Sequence, residues 1–204
     1  MSQAQAAEAS NQVDLNALLE GGAFDMASVG SLLDNLPAPA RLAAVRSLGA
    51  KAQAHLYDAA KGVRRLTLRD FVPSATPDLT EVVHEGKNSL AMFKTFAKVF
   101  CRPKAEAREL WGYNRTRGLV LATAGPGYFV AYEGPGDEVL IDYTRVPESK
   151  LETWPEIQPN ATGLKRLVYG GMVDALRAVS SHVSVGRAIR GGKVADNWFV
   201  LCRC

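Results

Sequence analysis

The chain has 204 residues, 47% of them apolar, 22% charged and 8% aromatic, with a formal net charge of +3. Glycine is not periodic, hydrophobic residues are plentiful and there are only three cysteines, which excludes collagen-like, disordered and disulfide-scaffold chains. The longest uncharged run, 118–132, is 15 residues long and is broken by Gly125-Pro126-Gly127, so no membrane span is expected, since a spanning helix needs roughly 20 apolar residues.

The modest net charge hides an uneven distribution. Residues 1–60 carry −3, 61–120 carry +6, 121–164 carry −5 and 165–204 carry +5. Such alternation suits a dipolar surface that could orient a partner or an anionic ligand. The basic residues are interleaved with acids and the sequence pI is 8.8, which argues against a nucleic-acid binder. The first residues, MSQAQAAEASNQ, show neither a basic nor an apolar leader pattern, so a cytoplasmic protein is expected.

Residues 1–12 read as a disordered tail. From Val13 the apolar spacing turns helical, with Leu15, Leu18 and Leu19 ahead of Gly21-Gly22. Met26, Val29, Leu32 and Leu33 predict a second helix, Leu42, Val45 and Leu48 a third, and Ala52, Leu56 and Ala59 a fourth. Helices this short need packing partners, so 13–62 is expected to be a helical N-terminal cap or subdomain, with 63–204 as an α+β domain.

In that second part, Leu66 to Val72 predicts a short extended segment and Glu81 to His84 a brief strand. Phe93, Phe96, Ala97, Val99 and Phe100 predict a helix from Ser89 to about Cys101, with Lys94 and Lys98 four apart on its polar side. Trp111 and Tyr113 suggest a strand. The runs 118–124, 128–133 and 137–144, parted by two Gly-Pro-Gly turns, predict an antiparallel meander. Within it Tyr128, Val130 and Tyr132 share one face, and Asp142 points away from Val139, Ile141 and Tyr143. Residues 145–162 form a long surface connection. Leu164, Leu167, Val168, Met172, Leu176 and Val179 predict the best amphipathic helix of the chain, and 183–189 with 194–202 a closing hairpin about Gly191-Gly192. The fold class expected is therefore α+β, an antiparallel β-meander plus C-terminal hairpin covered by amphipathic helices and preceded by a small helical subdomain.

The chemistry-bearing motifs are sparse. Gly86-Lys87-Asn88-Ser89 stands where a strand is expected to meet a helix, which makes Lys87 and Ser89 candidates for binding an anion. His55, His84 and His182 have no metal-ligand spacing to each other or to the cysteines, so no metal is expected; Cys202-Arg203-Cys204 is too isolated for a zinc site, and no cofactor motif occurs. Asp142 inside an apolar run, with His182 at the end of the expected helix and His84 nearby in class, forms the candidate acid–base set. Phe93, Phe96, Trp111, Tyr128, Tyr132 and Tyr143, joined by Phe100, supply the aromatic surface typical of a small-molecule pocket. The leading expectation is a non-enzymatic or enzymatically cryptic module that binds a small, partly apolar ligand between sheet and helices. The alternatives are a protein-interaction or homo-oligomeric scaffold component and a hydrolase- or isomerase-like enzyme using Asp142 and His182.

Overall fold

The computed structural model describes residues 14–22, 24–90, 94–115, 125–161, 163 and 165–203. Its eight strands are β1 (Val82–Asn88), β2 (Thr95–Cys101), β3 (Glu109–Arg115), β4 (Tyr128–Glu133), β5 (Val139–Asp142), β6 (Met172–Ala178), β7 (Val183–Arg190) and β8 (Lys193–Arg203). Each pairs antiparallel with the next, and β8 pairs back onto β1, closing a barrel in simple chain order. This overturns the expected sheet covered by helices. Closure satisfies every strand edge with another strand, which helices laid on an open sheet cannot do.

Two of the expected helices are strands. Residues 95–101 form β2, and all but the first turn of the expected C-terminal helix is β6, leaving only a short helix, Lys165–Tyr169, before it. The reason is burial on both faces. On β2 the side chains of Phe96, Lys98 and Phe100 enter the barrel, while Val99 and Cys101 are buried outside under Trp154. An apolar run without clean alternation satisfies a helical template as readily as a strand, and only pairing partners distant in sequence decide it. Gly171, at φ 64, ends the short helix and turns the chain into β6. The segment expected to be extended near Leu66 instead holds one helical turn, Leu68–Phe71, capped by reciprocal bonds between Thr67 and Asp70.

The barrel interior follows alternation along the strands, interrupted by a register shift between Arg187 and Ile189 in the β7–β8 pair. Cross-strand register sets Gly86 opposite Phe96, Gly112 opposite Phe129 and Gly186 opposite Phe199. In each pair a phenylalanine ring lies over a glycine; a Cβ on Gly86 would stand 2.7 Å from the Phe96 ring. Large and small residues thus alternate around the narrow interior, which is how a small barrel fills itself. Strands β4 and β5 and the β7–β8 hairpin stand where their spacing predicts, with Gly136, Gly191 and Gly192 at positive φ in the turns. The expected strand 118–124 lies outside the described residues.

Four helices precede the barrel: α1 (Leu15–Glu20), α2 (Met26–Asn35), α3 (Ala38–Ser47) and α4 (Ala50–Ala59). Asp14 and Asp25 cap α1 and α2, accepting from backbone N–H groups at 2.8–3.1 Å. Their apolar stripes, including Leu19, Leu33, Val45 and Leu56, bury against Val183, Val185, Val200 and Cys202 on the outer face of β7 and β8. The helix Leu68–Phe71 is α5 and Lys165–Tyr169 is α6. Among the described residues, no helix is long and apolar enough to cross a membrane.

Candidate functional site

At the end of the barrel where β2 begins, a cavity of about 290 Å³ opens into the interior. Its walls are Phe96, Phe199 and Met172 from the strands and Leu167, Val168 and Tyr169 from α6, which crosses the mouth. Arg190 holds α6 there by donating to the Leu167 and Val168 carbonyls at 2.8 and 2.6 Å. Lys165 adds a bond to the Pro126 carbonyl at 3.1 Å. Tyr169 stacks on Tyr143 with centroids 5.3 Å apart.

The floor of the cavity is polar. Lys98 on β2 and Asp174 on β6, each 2% exposed, form an ion pair at 3.1 Å inside the barrel. The Lys98 ammonium also donates to Asn114 Oδ1 at 3.1 Å and to the Tyr143 hydroxyl, so all three of its hydrogens are engaged. Four rings, Phe96, Phe129, Tyr143 and Phe199, surround the nitrogen with centroids 4.9–5.4 Å away, in reach of cation–π attraction. Burial pushes Lys98 below the usual lysine range, opposed by Asp174, and pushes Asp174 above the usual carboxylate range, opposed by Lys98. Burial likewise holds the Tyr143 hydroxyl well above its ordinary value. Both members of the pair are thereby moved toward their uncharged forms. Replacing such a pair with apolar side chains is often neutral or stabilising, so its presence beside a cavity points to use rather than to support.

A larger open groove of about 560 Å³ lies at the other end, beside Arg69, Arg102 and Arg108. Among the described residues, no buried polar side chain lines it. Arg102 is already held by Asp78 at 2.7 Å and by the Thr76 carbonyl.

The structure distributes the predicted residues unevenly. Phe96 and Tyr143 line the cavity, and Phe93 lies outside the described residues. Phe100 is deeper, packed with Phe71, His84 and Phe129. Tyr128 and Trp111 belong to an outer cluster under Trp154, and Tyr132, also on the outer face, carries the Arg145 guanidinium over its ring at 5.6 Å. Asp142, 8% exposed, points outward and accepts from the Thr144 amide and hydroxyl at 2.8 and 2.6 Å. It pairs with Val173 at one end of β6, whereas His182 follows the other end, about 17 Å away at roughly 3.4 Å per residue. His182 therefore ends no helix and cannot reach Asp142. His84 shares the His182 end, where its Nε2 meets the Phe71 carbonyl at 3.0 Å. Lys87 Nζ donates to the Arg46 carbonyl at 2.9 Å, and Ser89 bonds Trp198 and Asn197, so both are engaged within the fold, and the following helix that would have made them an anion site is strand β2. Cys204 is outside the described residues, and burial pushes the Cys101 thiol up to about 12, far from a nucleophile's range.

Sequence reasoning misses Lys98, Asn114, Asp174 and Tyr169. Lys98 reads as the polar side of a helix, and Asp174 falls within the run expected to form the C-terminal amphipathic helix, whose Arg177 pairs with Glu138 at 2.8 Å. The signal available was the alternation Phe96, Lys98, Phe100, which under a strand reading places a lysine among interior aromatics. No protein-family model, curated protein or solved structure matches the chain.

Proposed function

We propose that the protein binds a compact, uncharged, partly apolar molecule in the mouth of the barrel, with its polar end on Lys98 and Asp174. The observation that carries this reading is the buried ion pair at the floor of an open cavity whose apolar walls are edged by Asn88, Asn197 and Arg190. The pair has no net charge, so a carboxylate or an amine entering beside it would face one repulsive partner. A carbonyl, amide or hydroxyl group can replace Asn114 or Tyr143 as an acceptor from Lys98 while the ligand body lies on Phe96, Phe199 and Met172. The cavity sits at the small end of the roughly 300–1,000 Å³ range of ligand sites, which favours a short or single-ring molecule over a long lipid chain.

The test uses N-phenyl-1-naphthylamine, an uncharged fluorophore that brightens in apolar surroundings. The expected result is saturable binding of one probe per chain, weakened at least about ten-fold by Met172→Trp, which fills the cavity, and unchanged by Trp111→Phe on the outer face. No saturable brightening with the native chain, or equal binding by Met172→Trp, overturns the reading.

A further inference from the structure

We infer that Lys98 captures carbonyl compounds covalently, forming an imine with an aldehyde or ketone held in the barrel mouth, with Asp174 as its proton donor and acceptor. The inference rests on the ligand-binding reading of the same cavity and names its ligand class.

The geometry supplies each part that imine formation needs. Lys98 carries a primary amine facing the cavity, and Asp174 lies 3.1 Å from it as an acid or base. Asn114 and Tyr143 fix the amine from two further directions, and Asn114 also donates to the Tyr143 hydroxyl at 3.0 Å. A lysine is a nucleophile only without its extra proton, and an exposed lysine, with a pKa near 10.4, is almost wholly protonated at neutral pH. Here burial pushes Lys98 down and Asp174 up, which favours the uncharged amine beside a protonated carboxyl.

The chemistry balances within the pair. The neutral amine adds to the carbonyl carbon, and Asp174 gives its proton to the carbonyl oxygen. A second proton, released by the nitrogen and relayed through Asp174, leaves with the hydroxyl as water. The products are a protonated imine on Lys98, an Asp174 carboxylate and one water molecule, and no oxidant or reductant is consumed. The four rings at 4.9–5.4 Å then face a cation that cannot move away, and the carboxylate is its counter-ion. The same cage that holds the ammonium in the empty protein thus suits the product. Apolar walls select an aryl or short alkenyl aldehyde or ketone over a hydrophilic sugar.

The test incubates the full chain at neutral pH with trans-cinnamaldehyde and sodium cyanoborohydride, which reduces an imine to a stable secondary amine, and locates the adduct by intact-mass and peptide-mass analysis. The expected result is one adduct per chain, on Lys98, forming at least about ten-fold faster than at any exposed lysine. Asp174→Asn should slow it at least about ten-fold, whereas Trp111→Phe on the outer face should leave the rate unchanged. Because a single substitution can unfold a buried pair, Lys98→Met/Asp174→Leu removes the pair as a unit and should take up no adduct in the barrel while keeping a cooperative unfolding transition in urea. Absence of a Lys98 adduct, or labelling no faster than at exposed lysines, overturns the inference. If the native chain then still binds the fluorophore, the ligand site stands without the covalent step; if it does not, both readings fail.

Discussion

Where β2 ends, the barrel interior is closed by Phe71, His84, Phe100 and Phe129, packed ring to ring with centroids 4.9–5.3 Å apart. Where β2 begins, the same inward alternation delivers Lys98, Asn114, Tyr143 and Asp174 beneath an open cavity. Both ends bury a titratable base under aromatic rings. At the closed end the base is neutral and bonded to one backbone carbonyl; at the open end it is paired with an acid and bordered by unfilled space. The contrast separates two uses of burial. His84 fills a plug that α5 seals with the Phe71 carbonyl, whereas Lys98 holds a charge that the fold could have replaced with carbon.

The comparison breaks most sharply at Lys98. Lys98→Met leaves the Asp174 carboxylate buried without its partner and should lower unfolding free energy by about 3–5 kcal/mol in urea titration, whereas Lys98→Met/Asp174→Leu should recover most of that loss. Recovery failing in the double variant would mean that the pair holds the barrel together rather than serving the cavity.

Next, the two ends should respond differently to aromatic truncation. Phe100→Ala empties the plug and should cost about 3–5 kcal/mol, while Phe96→Ala, on the cavity wall and only partly buried, should cost less than about half as much. Equal losses by chemical denaturation would show that the cavity end is packed as tightly as the plug.

The third test is acid. Burial pulls folded His84 down to about 4 from the ordinary 6.5. As the pH falls the unfolded chain therefore takes up its proton first, so the stability held by the neutral ring is whole above about pH 6.5 and is lost progressively down to about pH 4, about 3 kcal/mol in all. His84→Gln, which keeps a donor for the Phe71 carbonyl, should flatten that part of the stability–pH curve. An unchanged slope would place the acid sensitivity elsewhere.

How much of this was legible depends on how far each feature reaches along the chain. The helices α1 to α4 follow from local apolar spacing, with Asp14 and Asp25 as caps, and the β4–β5 and β7–β8 turns follow from glycines that must take positive φ. Residues 95–101 satisfy a helical template because both faces of that strand are buried, and 172–178 because polar residues stand on both faces, Asp174 inside the barrel and Arg177 half-buried outside, so neither shows the alternation that marks a half-exposed strand. That ambiguity carried the site with it. Under a helical reading Lys98 sits on the solvated side; under the strand it stands directly opposite His84 and Asn114, facing inward.

By itself, then, the sequence determined the local elements whose partners lie within a few residues: the short amphipathic helices, the tight turns and the sharing of faces along β4 and β5. Tertiary structure alone decided the closure of β8 on β1, the seating of phenylalanine over glycine across Gly86, Gly112 and Gly186, and the meeting of Lys98 with Asp174 across 76 positions. A buried charge has no local signature of its own. Its side chain is chosen against the desolvation it suffers and the partner it finds, and both exist only once the barrel has closed.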